Sequence, residues 1–321
     1  MICLLRRGFI VVCVAMSALT SLACAAIPPR INAEAKARVQ QSVARSYVPE
    51  PQLTVRWVES GYGGGGLLGA VINSAVASSR KKDADALAQR LRAQAKDVDF
   101  RAQYRNALEP ALKQVAWLRF HGLVPDDRPL PLPEVNDEDV RAHGLLTVGT
   151  NYFLSPDCAV LIVQSELAFY EQGHSSRAAS VSVRYQSEEI GKVEGEEALA
   201  LWERDSAAAY RTVMNEAVDE SSRMARLALE YMGGAGYPGN VVHIQARLDH
   251  ARGDFGIKDD AVGLDGTVVE ENDRRLILLA ERTVYSLPKT AIESRRPQAN
   301  GRGGNSSMVT RKLAGGPGHG Y

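Results

Sequence analysis

Hydrophobic positions along the chain follow two periods, and the change from one to the other marks out the predicted elements. Over residues 159–170, Leu161, Val163, Ser165, Leu167 and Phe169 recur every second position, which predicts a strand with these side chains on one face. Residues 145–154 and 180–187 read the same way, with Val181, Val183 and Tyr185 alternating with polar neighbours in the second run. The connection 172–177 contains Gly173 and suits an antiparallel hairpin. Over 194–232 the period lengthens. Leu199, Trp202, Tyr210, Val213, Met214, Ala217, Met224, Leu227, Ala228 and Tyr231 step by threes and fours, the signature of a long amphipathic helix. Acidic residues crowd its first turn, Arg223 and Arg226 lie late, and Gly233-Gly234 is its stop signal. Such an apolar face needs a cover, so the helix is predicted to lie as a lid on the sheet.

Weaker patterns fill in the rest. Residues 33–48 predict a modest helix, and Leu53, Val55 and Trp57 alternate as a strand. A glycine cluster (Gly61, Gly63 to Gly66, Gly69) precedes a helix over 67–96, with Leu87, Leu91 and Ala95 at helical spacing. Asp99 is placed to cap a second helix whose buried face is Tyr104, Leu108, Leu112 and Val115. Pro110 kinks that helix or opens a new first turn. Residues 117–120 predict a short strand, and the proline-rich stretch 123–132 a loop. Beyond 233–239 the texture changes. Val242, Ile244, Ala246 and Leu248 share one side of a strand, and 266–271, 275–280 and 283–287 predict three short strands, with Glu271-Asn272-Asp273-Arg274 as one tight turn. The fold class is α+β: a mixed or antiparallel sheet covered by long helices, followed by a small β-meander or SH3-like barrel of about 55 residues, too small to have much core alone. The expected layout is a signal peptide over 1–25, an N-terminal helix and linker over 26–50, the α+β domain over 51–233, the small β domain over 240–293 and a disordered tail over 294–321. The tail is glycine-rich and basic, with no acidic residue and few apolar ones, so it cannot offset its ordering entropy.

The amino terminus sets the expected compartment. Arg6-Arg7, an apolar run of about 14 residues and the small residues Ala23 to Ala26 follow the order of a secretory signal, and the run falls short of the roughly 20 residues a membrane span needs. Two processing routes stay open. Ser21-Leu22-Ala23-Cys24 resembles a bacterial lipobox, which makes Cys24 the candidate lipidation site. Cleavage after Ala25 would instead release a soluble protein. The expected location is the periplasm or the periplasmic face of the outer membrane. Lys plus Arg and Asp plus Glu each number 38, so the net charge gives no argument for nucleic acid as a partner.

Candidate chemistry is sparse. The run Gly61 to Gly66 fits dinucleotide-loop spacing, but no strand ending in an acidic residue follows, as that fold requires. Leu67, Leu68, Val71 and Ile72 begin a nearly all-round apolar helix, a core segment or a contact for a partner or membrane. His121, His143, His174, His243, His250 and His319 lack the spacing of a zinc site, and Asp249, Asp254, Asp259, Asp260 and Asp265 are too loosely spaced for a calcium loop. Cys158 begins an apolar run and reads as a buried, inert thiol. No catalytic residue, cofactor or metal ligand is assigned from these patterns.

The order of elements over 53–232 resembles the alpha/beta domain of the CsgG and TolB amino-terminal type, found in many bacterial envelope lipoproteins. The residues that carry it are 99–120, a helix ending in a short strand, and 145–170, where Tyr152 precedes a long hairpin. The stretch Gly64 to Gly69 is also similar to a Gly-Gly-Gly-Leu-Leu-Gly segment of proteobacterial exported proteins. The resemblance implies a non-catalytic envelope component that docks other envelope proteins, and it carries no functional residue across. An exported hydrolase with a site built from distant residues, and a carrier of lipid or another small ligand, are the alternatives.

Overall fold

The computed structural model describes residues 30–50, 52–55, 86, 88–126, 142–237, 239–248 and 261–297. Cys24, Leu67, Leu68, Val71, Ile72, the signal segment 1–25, the glycine cluster and the tail beyond Pro297 lie outside them.

One mixed sheet of eleven strands organises the described chain. Its strands are β1 (Ser42–Tyr47), β2 (Thr54–Val55), β3 (Phe120–Asp126), β4 (Gly144–Leu154), β5 (Leu161–Tyr170), β6 (Arg177–Gln186), β7 (Val241–Ala246), β8 (Val262–Glu271), β9 (Arg275–Ala280), β10 (Thr283–Pro288) and β11 (Ile292–Pro297). They run in the order β11-β7-β8-β9-β10-β6-β5-β4-β1-β3, with β2 also paired to β4. The β1–β3, β1–β4, β2–β4 and β6–β10 pairs are parallel and the rest antiparallel. The helices α1 (Ala33–Arg38), α2 (Phe100–Lys113) and α3 (Gly195–Met232) accompany the sheet.

The hairpin β4–β5–β6 and the long helix form as the periodicity predicts. Leu161, Val163, Ser165, Leu167 and Phe169 are all buried and face α2 and α3. Tyr104 from α2 reaches Ser165 Oγ at 3.1 Å, and Ser165 in turn meets Thr150 Oγ1 at 2.9 Å, so the buried hydroxyls satisfy one another. Asp99 caps α2 by accepting from Ala102 N at 3.1 Å, and the helix runs through Pro110 near its end. Leu91 and Ala95, from the preceding helical residues 88–94 and the turn after them, join the same core. Helix α3 is broken at Arg204 to Ala207, where Asp205, Ser206 and Ala207 have positive φ. It ends in paired bonds from Gly234 N to Tyr231 O and Ala235 N to Glu230 O, with Gly234 at φ +95°, the left-handed geometry glycine adopts freely.

Several expectations are corrected. The helix predicted over 33–48 stops at Arg38, and Ser42–Tyr47 is a strand between β3 and β4. Two strand neighbours supply its backbone with partners, which outweighs a weak local helix preference. The predicted strand 117–120 is a 3-10 turn over Ala116–Leu118, with Arg119 at φ +45°. The predicted loop begins inside β3, which tolerates Pro125 because it is an edge strand. Ser294 to Pro297, expected in the tail, pair with β7 as the opposite edge. The C-terminal strands form an antiparallel meander, but not a separate barrel beside a helix-covered sheet. Thr283 to Ser286 of β10 pair in parallel with Ser182 to Tyr185 of β6, which joins the meander to the large sheet. Strand β9 is consequently buried on both faces. Ile277 and Leu279 enter the core under the helices, while Leu276, Leu278 and Ala280 pack with Val242, Ile244 and Leu287 in a second cluster.

The turn into the meander is tight. A Cβ placed on Gly239 would fall 1.6 Å from the Val268 carbonyl oxygen. Gly239→Ala is expected to lower stability by about 1–3 kcal/mol, the usual cost of forcing an extra carbon into packed structure. Urea denaturation would measure it, and an unchanged midpoint would show that the two segments lie further apart.

Candidate functional site

A crevice opens in the described surface where the sheet is interrupted. Strands β1 and β2 both run parallel to β4 along the same edge, since β5 occupies the other edge over 145–154. Tyr47 pairs with Gly149 and Thr54 pairs with Phe153. Between these two pairings, residues 150–152 of β4 have neither β1 nor β2 beside them. A cavity of about 530 Å³ results, lined on one side by Tyr47, Pro49, Glu50 and Thr54 and on the other by β4 with Gln164 and Glu166.

The described residues between β1 and β2 are held from behind. Val48 and Leu53 are buried in the core. Arg101 Nη2 donates to the Pro49 carbonyl at 3.1 Å, and Arg92 Nε to the Leu53 carbonyl at 2.5 Å. Below it, Tyr152 stacks on Phe100 at 4.1 Å, and burial pushes the Tyr152 phenol's pKa up, which keeps it neutral. The crevice lining mixes the rings of Tyr47, Tyr152 and Phe153 with polar side chains. The side chains of Tyr47, Glu50, Asn151 and Gln164 make no hydrogen bond or ion pair with another described residue. Asn151 and Gln164 are directly opposite in the β4–β5 register, so their carboxamides share one face. Glu166 is engaged, with Arg177 at 2.6 Å.

A second group of charges centres on Arg275 and Glu220, between α3 and the strands. Arg275, on β9, is 7% exposed. It donates to Ser286 Oγ at 2.8 Å, to the Gln186 carbonyl at 2.6 Å and to Glu216 Oε1 at 3.1 Å, and its guanidinium lies 4.4 Å from the Tyr185 ring centre. Ser286 Oγ donates to Glu220 at 2.7 Å, and Arg223 bridges Glu220 to Glu270. Burial opposes the charge of Glu220. Hydrogen bonds from Arg223 and Ser286 and the attraction of Arg223 and Arg275 outweigh it, so its pKa is held below the ordinary value. This network clamps α3 to β6, β9 and β10.

A smaller cavity of about 430 Å³ lies where α3 ends against the meander, with Arg30 stacked 4.4 Å from the Tyr231 ring centre and Asp265 and Glu281 in the lining. His243 meets Asp265 at 2.9 Å across β7 and β8. Arg30 already occupies the tyrosine face there. Cys158 is buried, and burial pushes its thiol up to about 11, so it is protonated and unreactive near neutral pH. Among the described residues no cluster of three or more His, Cys, Asp or Glu could hold a metal ion, and no helix is long and apolar enough to cross a membrane.

The candidate residues of the sequence, Cys24, Leu67, Leu68, Val71 and Ile72, fall outside the described residues and are not brought to this crevice. Of the residues that line it, Tyr152 was named by sequence only as the start of a hairpin, and Tyr47, Glu50, Asn151 and Gln164 were not singled out. Asn151 and Gln164 were polar positions in two predicted strands, and only the strand register shows that they face each other.

No protein-family model matches the chain, and no curated protein matches it. A solved structure, a neuraminyllactose-binding hemagglutinin homolog from Helicobacter pylori, aligns with 60% of this chain and 86% of its own, at 12% identity and a TM-score of 0.22.

Proposed function

We propose that this chain is an exported, non-catalytic component of the bacterial cell envelope that acts through contacts with other envelope proteins, in the periplasm or on the periplasmic face of the outer membrane. The observation that carries this reading is the crevice: an opening in the sheet where the side chains of Tyr47, Glu50, Asn151 and Gln164 make no hydrogen bond or ion pair with another described residue. Polar groups without internal partners can be re-paired across a complementary surface, which offsets the cost of taking them out of water. In the same reading Cys24 is the point of outer-membrane attachment, and the four apolar residues Leu67, Leu68, Val71 and Ile72 offer a further contact. The sheet-and-helix part is proposed as a domain of the CsgG and TolB amino-terminal type. The meander order β11-β7-β8-β9-β10, with a 3-10 turn over Lys289–Ala291 before its last strand, supports an SH3-like unit fused to that sheet. Cross-linking in intact cells followed by capture from envelope extract tests the reading. A defined envelope partner is expected, and capture of none would sink the proposal.

A further inference from the structure

Two histidines from different strands meet at one end of the sheet. His121 belongs to the edge strand β3, and His143 immediately precedes β4, with β1 running between those two strands. Their rings stand 6.4 Å apart, centre to centre, with planes 3° from parallel. Backbone hydrogen bonds hold both approaches. Ser42 N, at the start of β1, donates to the Arg119 carbonyl at 3.2 Å, and Gly144 N donates to the Gln41 carbonyl at 2.9 Å. Ser42 pairs with Phe120 and Val43 with Gly122, so His121 is an extra residue in the β3 ladder. A bulge of this kind takes a side chain out of the strand's alternation and re-aims it.

The two imidazoles are spare as well as adjacent. Neither makes a hydrogen bond or ion pair with another described residue, and Nδ1 of His143 is shielded from solvent without a partner. A polar atom withdrawn from water in that way calls for an explanation, and a coordinated ion supplies one. Metal–imidazole bonds are about 2.0–2.1 Å long, so two rings sharing one ion have centres about 5–6 Å apart. The observed spacing lies just above that range, and a rotation of the exposed His121 side chain closes it. The donor set selects the ion. Both ligands are nitrogen donors, neutral when they coordinate, and the exposed Arg119 lies two positions before His121. Magnesium and calcium, which take oxygen ligands, gain nothing from this pair, whereas copper, nickel and zinc suit imidazole.

We propose that His121 and His143 together bind one divalent transition-metal ion, with water filling its remaining positions, and that the ion ties the β3 edge to β4 around the start of β1. Two protein ligands make this an exchangeable site, in contrast to the three- and four-ligand sites of resident zinc. The assignment is independent of the protein-contact reading.

Calorimetric titration of the full mature chain, stripped with EDTA and dialysed, tests it with copper(II), zinc(II) and magnesium as probes. Saturable binding of copper and zinc is expected, copper the tighter, and magnesium should give no heat of binding. Zinc should also raise the melting temperature, because it binds the folded arrangement. His121→Ala and His143→Ala should each weaken zinc binding about tenfold or more, while His243→Ala leaves it unchanged. Absence of zinc and copper binding overturns the proposal, and so does magnesium binding as tightly as zinc. Undiminished binding in both variants places the ion elsewhere, and loss in one variant alone reduces the site to a single imidazole. Either result overturns it too. Should His143→Ala fail to fold, the exposed His121 decides the matter by itself. A failure of this test leaves the envelope-partner reading to its own cross-linking experiment.

Discussion

Replacing Arg275 with leucine is expected to lower the unfolding free energy by about 3–5 kcal/mol, the range for removing one member of a buried ion pair. The loss is large because the side chain serves four separate groups: Glu216, Ser286, the Gln186 carbonyl and the Tyr185 ring. Leucine would leave Glu220 with Arg223 and Ser286 but without the Arg275 charge, and would leave the Gln186 carbonyl short of a donor. Lysine should rescue only part, since an ammonium lacks the planar fork that reaches three acceptors at once. The sign of the pH effect follows from Glu220. Its pKa is depressed in the folded protein, so its contribution is present above the unfolded value near 4.5 and lost as pH falls through the folded value. Without Arg275 that carboxylate is less well held, so the deficit of the variant should narrow as pH drops below about 4.5. Urea titrations at neutral and acid pH measure both effects. A deficit under about 1 kcal/mol at neutral pH would show that solvent or Arg223 compensates and that the clamp is weak.

Trp202→Ala is expected to cost a similar amount, about 3–5 kcal/mol, from lost burial and the cavity left behind. Trp202 is fully buried, meets Tyr210 edge to face and donates from Nε1 to the Cys158 carbonyl at 2.7 Å. It joins the first segment of α3, before the break at Arg204, to the turn that opens β5. Trp202→Phe separates the two contributions. It keeps most of the apolar area but leaves that carbonyl unpaired, for an expected loss of about 1–3 kcal/mol. Thermal unfolding of both variants checks the order. If phenylalanine costs as much as alanine, the hydrogen bond and not the ring volume dominates.

What could be read from the residues was set by short-range periodicity. The strands around Leu145, Leu161 and Val181, the cap at Asp99, the glycine stop after Met232 and the turn at Asn272 each depend on contacts within a few positions. Asn272, for instance, accepts from Arg274 N and Arg275 N, a bond fixed by local geometry. The same locality misled at Ser42 to Tyr47. Their sequence carries a weak helical preference, and their strand conformation comes from β3 and β4, which lie about 75 and 100 residues further along. Ser294 to Pro297 read as tail for the same reason, since their partner strand begins at Val241.

The sequence by itself determined the long amphipathic helix, the central hairpin and the meander, because each is written in spacing. Only the tertiary structure decided that β10 lies against β6, which makes one sheet of what read as two units. It also decided that Tyr47, Glu50, Asn151 and Gln164 meet around one opening. Register between distant strands depends on the sum of many packing contacts across the core, and a one-residue slip would turn Asn151 and Gln164 to the opposite face. A polar residue in a strand shows its alternation in the sequence, whereas the partner it faces is chosen by the fold.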